Sequence, residues 1–305
     1  MRPEGEITRG TTNPGRLRRV DRWISQAQRA VLRARDRPLL VDLGFGASPV
    51  TTVELYRRVR AVAPDAEVVG LEIDPLRVAA ARRRLAAVRA AGDELPGLSF
   101  GVGGFELPVE RRPALVRAFN VLRQYHEEQA WAAWSRLRAG LAPGGVLIEG
   151  TCDEIGRRAV WVTLPAAPGP ARPGDGTRED DAASARGAAN ARGAANARGA
   201  ALITFSARLA SIGRPSDLAE RLPKTLIHRN VPGEPVHAFL RDFDRAWDRA
   251  APQVAFGSRQ RWLAAVASLT DGWPVLRYPP YGGRARWRLG EVTLPWAALA
   301  PAGRK

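Results

Sequence analysis

The stretch Pro38–Pro49 reads P-L-L-V-D-L-G-F-G-A-S-P, and it sets the fold class. Leu39, Leu40 and Val41 form a short apolar run of the kind that makes a fully buried strand. Asp42 follows, then Gly44 and Gly46 two residues apart, then the small Ser48. Beyond Pro49 the pattern becomes helical, with Leu55, Val59 and Val62 on one face. Strand, glycine-rich turn and helix in that order is how an α/β sheet cradles a nucleotide. Glycines carry no Cβ, so the backbone can approach a ligand closely, and the helix start offers free N–H groups. A dinucleotide turn would want a third glycine at position 49. Pro49 suits a first helical turn but not the close helix–sheet packing that glycine allows.

Working outward, Glu67–Ile73 (E-V-V-G-L-E-I) reads as a second buried strand, closed by Asp74 and Pro75. An acidic residue at the end of the strand after a nucleotide turn can accept hydrogen bonds from both ribose hydroxyls. Glu72 stands there, with Asp74 close enough to compete; a carboxylate serving the next helix N-terminus is the other reading, and Asp74 fits it better. Pro75–Ala91 is predicted helical, with Val78, Ala81, Leu85 and Val88 inward. Leu98–Val102 is a third strand, ending in G-G-F-E-L-P, and Ala114–Asn120 (A-L-V-R-A-F-N) a fourth. A helix from about Glu127 turns Ala130, Trp134, Leu137 and Leu141 inward. It runs into L-A-P-G-G-V-L-I-E-G (Leu141–Gly150), a helix stop and tight turn leading to a fifth strand.

The G-x-G-x-small turn, with an acidic residue two positions before its first glycine, resembles the first motif of class I S-adenosylmethionine (SAM)-dependent methyltransferases. Glu72 after V-G-L, Asn120 at the fourth strand's end and the Pro-Gly-Gly entry to the fifth strand follow in that family's order. The resemblance covers residues 38–150, with a looser extension to about 210. It implies an α/β fold: a Rossmann-like, seven-stranded, mostly parallel sheet with helices on both faces and an antiparallel last strand, plus a C-terminal accessory region. It implies SAM as cofactor, contacted by Asp42, Gly44, Phe45, Gly46 and Ser48 at the turn. Glu72 and Ile73 would follow on the second strand, Gly104 and Phe105 beyond the third, and Asn120 beyond the fourth. Asn120 reads equally well as a turn cap. Gly104 stands where the family usually has an adenine-reading Asp, so backbone groups and the Phe105 ring would have to substitute. Asn120-Val121-Leu122-Arg123 replaces the N-P-P-Y of the branch that methylates exocyclic nitrogens, which argues against that chemistry.

Outside this stretch, Arg16–Arg35 is expected to be one amphipathic helix with Leu17, Val20, Ile24, Ala27 and Val31 inward. The resemblance implies that residues 1–37, a loop and this helix, act as a lid, with Thr12 and Asn13 as candidate contacts. The SAM-binding domain spans 38–212. Arg158–Leu164 and Leu202–Leu209 read as a closing hairpin, separated by a low-complexity stretch, 165–201, in which A-R-G-A-A-N repeats and no core can form. Residues 213–305 hold two helices, Glu234–Ala250 and Ser258–Leu269, and an aromatic tail, and are the expected substrate region.

The net charge of +16 rests on arginine: Lys224 and Lys305 are the only lysines, so 45 of the 47 basic residues are arginine. A GC-rich genome accounts for that excess; attraction to phosphate is the functional alternative, and it keeps RNA open as a partner. Cys152 is the lone cysteine and His126, His228 and His237 are far apart, so no metal site is expected. With no apolar leader and no run long enough to span a membrane, a cytoplasmic protein is expected, with no membrane partner. His126, just after the fourth strand, is the catalytic candidate, though a helix-start histidine is the alternative; Glu149 and Asp153 flank the fifth strand's end. The acceptor is expected to be a small molecule, a sugar or a lipid precursor. RNA methylation, non-catalytic binding of SAM or a nucleotide, and a nicotinamide-dependent oxidoreductase are the competing functions.

Overall fold

The computed structural model describes residues 3–7, 12–168 and 200–302. The expected low-complexity expansion therefore falls mostly outside the described residues. Eight strands form one sheet: β1 Leu39–Leu43, β2 Glu67–Glu72, β3 Leu98–Val102, β4 Leu115–Phe119, β5 Val146–Cys152, β6 Arg158–Pro165, β7 Leu202–Ala207 and β8 Glu291–Pro295. Their order is β3-β2-β1-β4-β5-β6-β7-β8. The first five are parallel, and β6, β7 and β8 each pair antiparallel with the strand before. This is the Rossmann-like α/β class, with one strand more than the expected seven. β8 comes from the C-terminal region, where aromatic and Pro/Gly-rich sequence hid a short strand.

The helices are α1 Arg18–Ala27, α2 Arg29–Arg33, α3 Val50–Arg60, α4 Pro75–Ala90, α5 Glu127–Gly140, α6 Lys224–Ile227, α7 Pro235–Arg249, α8 Ser258–Leu269 and α9 Arg284–Trp287. Alternation along the strands sends side chains to two cores. Leu40, Leu115, Ile148 and Trp161 face one core with Trp23 and Ile24 of α1, Leu55 of α3 and Val78 of α4. Val41, Val116, Leu147 and Phe205 face the other, with Trp134 of α5, Phe239 of α7 and Trp262 of α8. Helices cover both faces, so β1 and β4 are buried along their whole length.

The expected helix over Arg16–Arg35 is two helices with a break at Gln28. The break shifts the helical phase, so Leu32 rather than Val31 is fully buried. Val88, in the last turns of α4, is 37% exposed rather than inward. β7 stops at Ala207, and a short 3₁₀ turn takes Leu209–Ser211. No helix among the described residues is long and apolar enough to cross a membrane.

Candidate functional site

Strand order reverses between β1 and β4, and a cavity of about 450 Å³ opens there, beyond the carboxyl ends of the strands. The Gly44–Gly46 turn forms one wall, and Asn120 and Cys152 the other. Gly44 (φ +70°) and Gly46 (φ +79°) both adopt left-handed backbone. A Cβ on Gly44 would lie 2.7 Å from Val121 Cγ2, so the turn needs glycine for space as well as conformation.

Beneath the turn lies a buried ion network. Register pairs Asp42 with Arg117 on the neighbouring strand. Arg117 Nε donates to Asp42 Oδ1 at 2.9 Å, and Nη2 donates to Oδ2 at 2.7 Å and to the Thr51 carbonyl at 3.1 Å. Arg117 Nη1 reaches Asp21 of α1, whose second oxygen accepts from Arg58 at 3.0 Å. Thr52 Oγ1 donates to Asp42 Oδ2 at 2.6 Å. Two carboxylates and two guanidiniums balance in charge. Burial nonetheless lifts the Asp21 pKa to about 6, against the opposing pull of Arg117 and Arg58. Asp42 borders the cavity, but both its oxygens are engaged by the chain itself. It holds the turn's floor in place. The overlooked signal was an arginine inside an otherwise apolar strand, A-L-V-R-A-F-N, which must find a buried acid.

Glu72 is 1% exposed at the end of β2. Its Oε2 accepts from the Gly46 amide at 2.8 Å and its Oε1 from the Ile73 amide at 3.0 Å. It thus joins the second strand's end to the glycine turn. Asp74 instead caps α4, accepting from the Leu76 amide at 2.8 Å. Ser48 lies outside the cavity wall and accepts from Arg84 at 3.1 Å. Ile73, Gly104 and Phe105 surround a small cleft on the far side of Gly44. Residues 3–7 of the chain lie across that cleft. The Glu4 carbonyl accepts from the Phe105 amide at 3.0 Å and sits where a Cβ on Gly104 would be. The Glu6 amide donates to the Tyr125 hydroxyl, and Gln124 Nε2 to the Glu6 carbonyl at 2.9 Å. Of the backbone groups expected to read an adenine, the Phe105 amide is already bonded to this segment, and the Gly104 amide donates to Glu106 Oε1 at 3.0 Å.

Asn120 has φ +60° and clamps the ends of β4 and β5. Its Oδ1 accepts from the Cys152 amide at 3.0 Å, and its Nδ2 points to Cys152 Sγ at 3.3 Å. Burial pushes the Cys152 thiol up, with the Arg16 guanidinium opposing. His126 is corrected: it is exposed at the N-cap of α5, its amide donating to Gln129 Oε1 at 2.8 Å, and it does not line the cavity. A chain leaving the 3₁₀ turn Leu122–Gln124 directs this cap residue outward. Glu149 faces the α5 side of the sheet, where Trp134 Nε1 donates to it at 3.1 Å, and burial raises its pKa to about 8. Asp153 closes the β5–β6 turn, accepting from the Arg157 and Arg158 amides at 2.8 and 3.1 Å. Thr12 Oγ1 donates to the Phe45 carbonyl at 2.9 Å and Asn13 Nδ2 to the Glu154 carbonyl at 3.3 Å.

Three arginines absent from the sequence reading, Arg16, Arg123 and Arg221, line the cavity with Glu154. Arg123 makes no hydrogen bond or ion pair with a described residue. Partial burial lowers its pKa, and the charges of Arg221 and Arg16 lower it further. Their spread over α1's approach, the turn after β4 and the segment before α6 explains why no local motif announced them. No group of described residues could hold a metal ion.

No family model matches the chain, and no curated protein matches it. Among solved structures, 409 chains match. Magnesium protoporphyrin IX methyltransferase from Synechocystis is 21% identical over 44% of this chain and 53% of its own, with TM-score 0.33. A putative sarcosine dimethylglycine methyltransferase from Galdieria sulphuraria is 18% identical over 48% and 55%, with TM-score 0.34. Human N-acetylserotonin methyltransferase is 23% identical over 46% and 39%, with TM-score 0.29. The chain spans about half the length of the first two. The class is set by the chain's own strand order and site: a Rossmann-like α/β protein with a nucleotide-type glycine turn at the switch point.

Proposed function

We propose that the chain is a SAM-dependent methyltransferase acting on a small-molecule acceptor. The observation that carries this is the Glu72–Gly46 bond, which fixes the glycine turn against an acidic strand end beside the cavity. The residues fit the cofactor. Gly44–Gly46 and Asn120 border the space for its methionine half, and Glu72, Ile73 and Phe105 the space for its adenosine half once residues 3–7 move aside. Bound SAM would supply an electrophilic methyl group on sulfur. The chain's part is to hold the acceptor in line with that methyl and to exclude water. Arg123 and Arg221 favour an acceptor that carries negative charge. Among the described lining residues, Glu154 is the carboxylate outside any ion pair, and it is the group placed to take a proton from an acceptor that must lose one.

Calorimetric titration with S-adenosylhomocysteine, with NAD and NADP as comparators, tests the reading. Micromolar binding is expected, weakened at least about tenfold in Glu72→Ala and less in Glu72→Gln, as loss of charged hydrogen bonds dictates. No binding of S-adenosylhomocysteine, or tighter binding of a nicotinamide cofactor, overturns it.

A further inference from the structure

A second opening of about 450 Å³ lies beside the first, and four arginines line it: Arg18, Arg19, Arg157 and Arg208. A ridge separates the two, tied by Asn13 Nδ2 to the Glu154 carbonyl at 3.3 Å and Arg16 Nε to the Asp153 carbonyl at 3.1 Å. Three separate elements bring the arginines together. Arg18 and Arg19 open α1, Arg157 precedes β6, and Arg208 follows β7. Antiparallel pairing sets the last two side by side, the Arg208 amide donating to the Arg157 carbonyl at 2.7 Å.

No acidic residue is among the described residues lining this cleft. Of the nearby acids, Glu54 accepts from the Gly15 amide at 2.8 Å, Glu154 stands on the ridge outside any ion pair, and two others are committed elsewhere. Asp153 accepts from the Arg157 and Arg158 amides, and Glu291 pairs with Arg286 at 3.1 Å and Arg22 at 3.5 Å. Arg19 is anchored: its Nη1 donates to the Leu289 carbonyl at 2.8 Å. Burial lowers its pKa, and the Arg22 charge lowers it further. The side chains of Arg18, Arg157 and Arg208 are exposed and make no hydrogen bond or ion pair with a described residue. Bringing guanidiniums together without counter-charge costs the folded state repulsion. That cost is offset when an anion is held.

We infer that this cleft is a binding site for a diphosphate-class anion, distinct from the cavity at the glycine turn. A single carboxylate would satisfy one guanidinium and leave the others repelling. A diphosphate presents several charged oxygens across a short span, which suits planar donors converging from three sides. Single-stranded nucleic acid would want an aromatic platform for its bases, and no aromatic side chain lines the cleft among the described residues. The inference stands whether or not the chain binds SAM.

The test is calorimetric titration of the full chain with inorganic pyrophosphate at low salt, with acetate and a short single-stranded RNA as comparators. Pyrophosphate binds and acetate does not; binding weakens as salt rises. The Arg157→Gln/Arg208→Gln double variant loses at least about tenfold in affinity, the scale of two charged hydrogen-bonding groups. Circular dichroism confirms that it is folded. Three results overturn the site: no pyrophosphate binding, equal affinity in parent and double variant, or RNA bound far more tightly than pyrophosphate through these same arginines.

Discussion

Glu149 is a buried acid without a cation. One oxygen accepts from Trp134 and the other has no partner among the described residues. Its pKa of about 8, against an ordinary 4.5, means that the folded chain keeps a proton that the unfolded chain has lost between those values. The unfolded state then binds fewer protons, so stability falls as pH rises, by about 1.4 kcal/mol per pH unit between roughly 4.5 and 8. Below that window both states are protonated and nothing is lost. Glu149→Gln is therefore expected to flatten the pH dependence: urea unfolding should show parent and variant alike near pH 4 and the variant more stable at pH 7.5. The Asp42–Arg117–Asp21 network is the opposite solution at another buried site. Its charges are paired, so removing one member would strand another.

At the scale of elements, the segment 3–7 decides access to the cleft of Ile73, Gly104 and Phe105. It bonds through backbone groups to Phe105, Tyr125 and Gln124, and Glu4 also pairs with Arg136 at 3.0 Å on the surface. Surface pairs of this kind contribute little, about 0–1 kcal/mol, so the segment is held chiefly by its few backbone bonds. Removing residues 1–7 is expected to strengthen S-adenosylhomocysteine binding several-fold, because the ligand no longer displaces the segment. Titration of the shortened chain checks this. Weaker binding would instead make the segment part of the cofactor's wall. The lid expected around Thr12 and Asn13 is a separate contact, on the turn and the β5–β6 loop.

At the scale of the whole molecule, residues 213–302 share a core with the sheet. Phe239, Phe243 and Trp262 pack in one cluster with Val160 and Phe205, and β8 pairs with β7. One cooperative unfolding transition is expected, with far-UV and tryptophan signals coincident. Trp262 is fully buried against Phe243 at 5.0 Å, so Trp262→Ala should lower stability by about 3–5 kcal/mol while keeping a single transition. Two transitions would show that the C-terminal region folds apart. The arginine excess also has a structural use. Arg33, Arg82, Arg89, Arg138 and Arg286 each donate to backbone carbonyls of strands and loops. Much of the basic charge is spent on the chain itself, and the cleft of Arg18, Arg157 and Arg208 is one place where it is not.

The sequence by itself determined the local order of elements. Apolar runs at Leu39, Val68, Leu115 and Val146, glycines at 44 and 46, and the Pro-Gly-Gly turn are short-range signals, because strand burial, turn geometry and helix stops depend on near neighbours. Glu72 at the strand end was legible for the same reason. Only the tertiary structure decided what depends on distant partners. It made Asp42 a floor rather than an open contact, through Arg117 on another strand and Asp21 on a helix. It turned His126 outward as a cap and Glu149 inward against a tryptophan. It brought Arg16, Arg123 and Arg221 to one cavity and four other arginines to one cleft. Charge acts across a few ångströms in space, and the separation of these residues along the chain carries no trace of that distance.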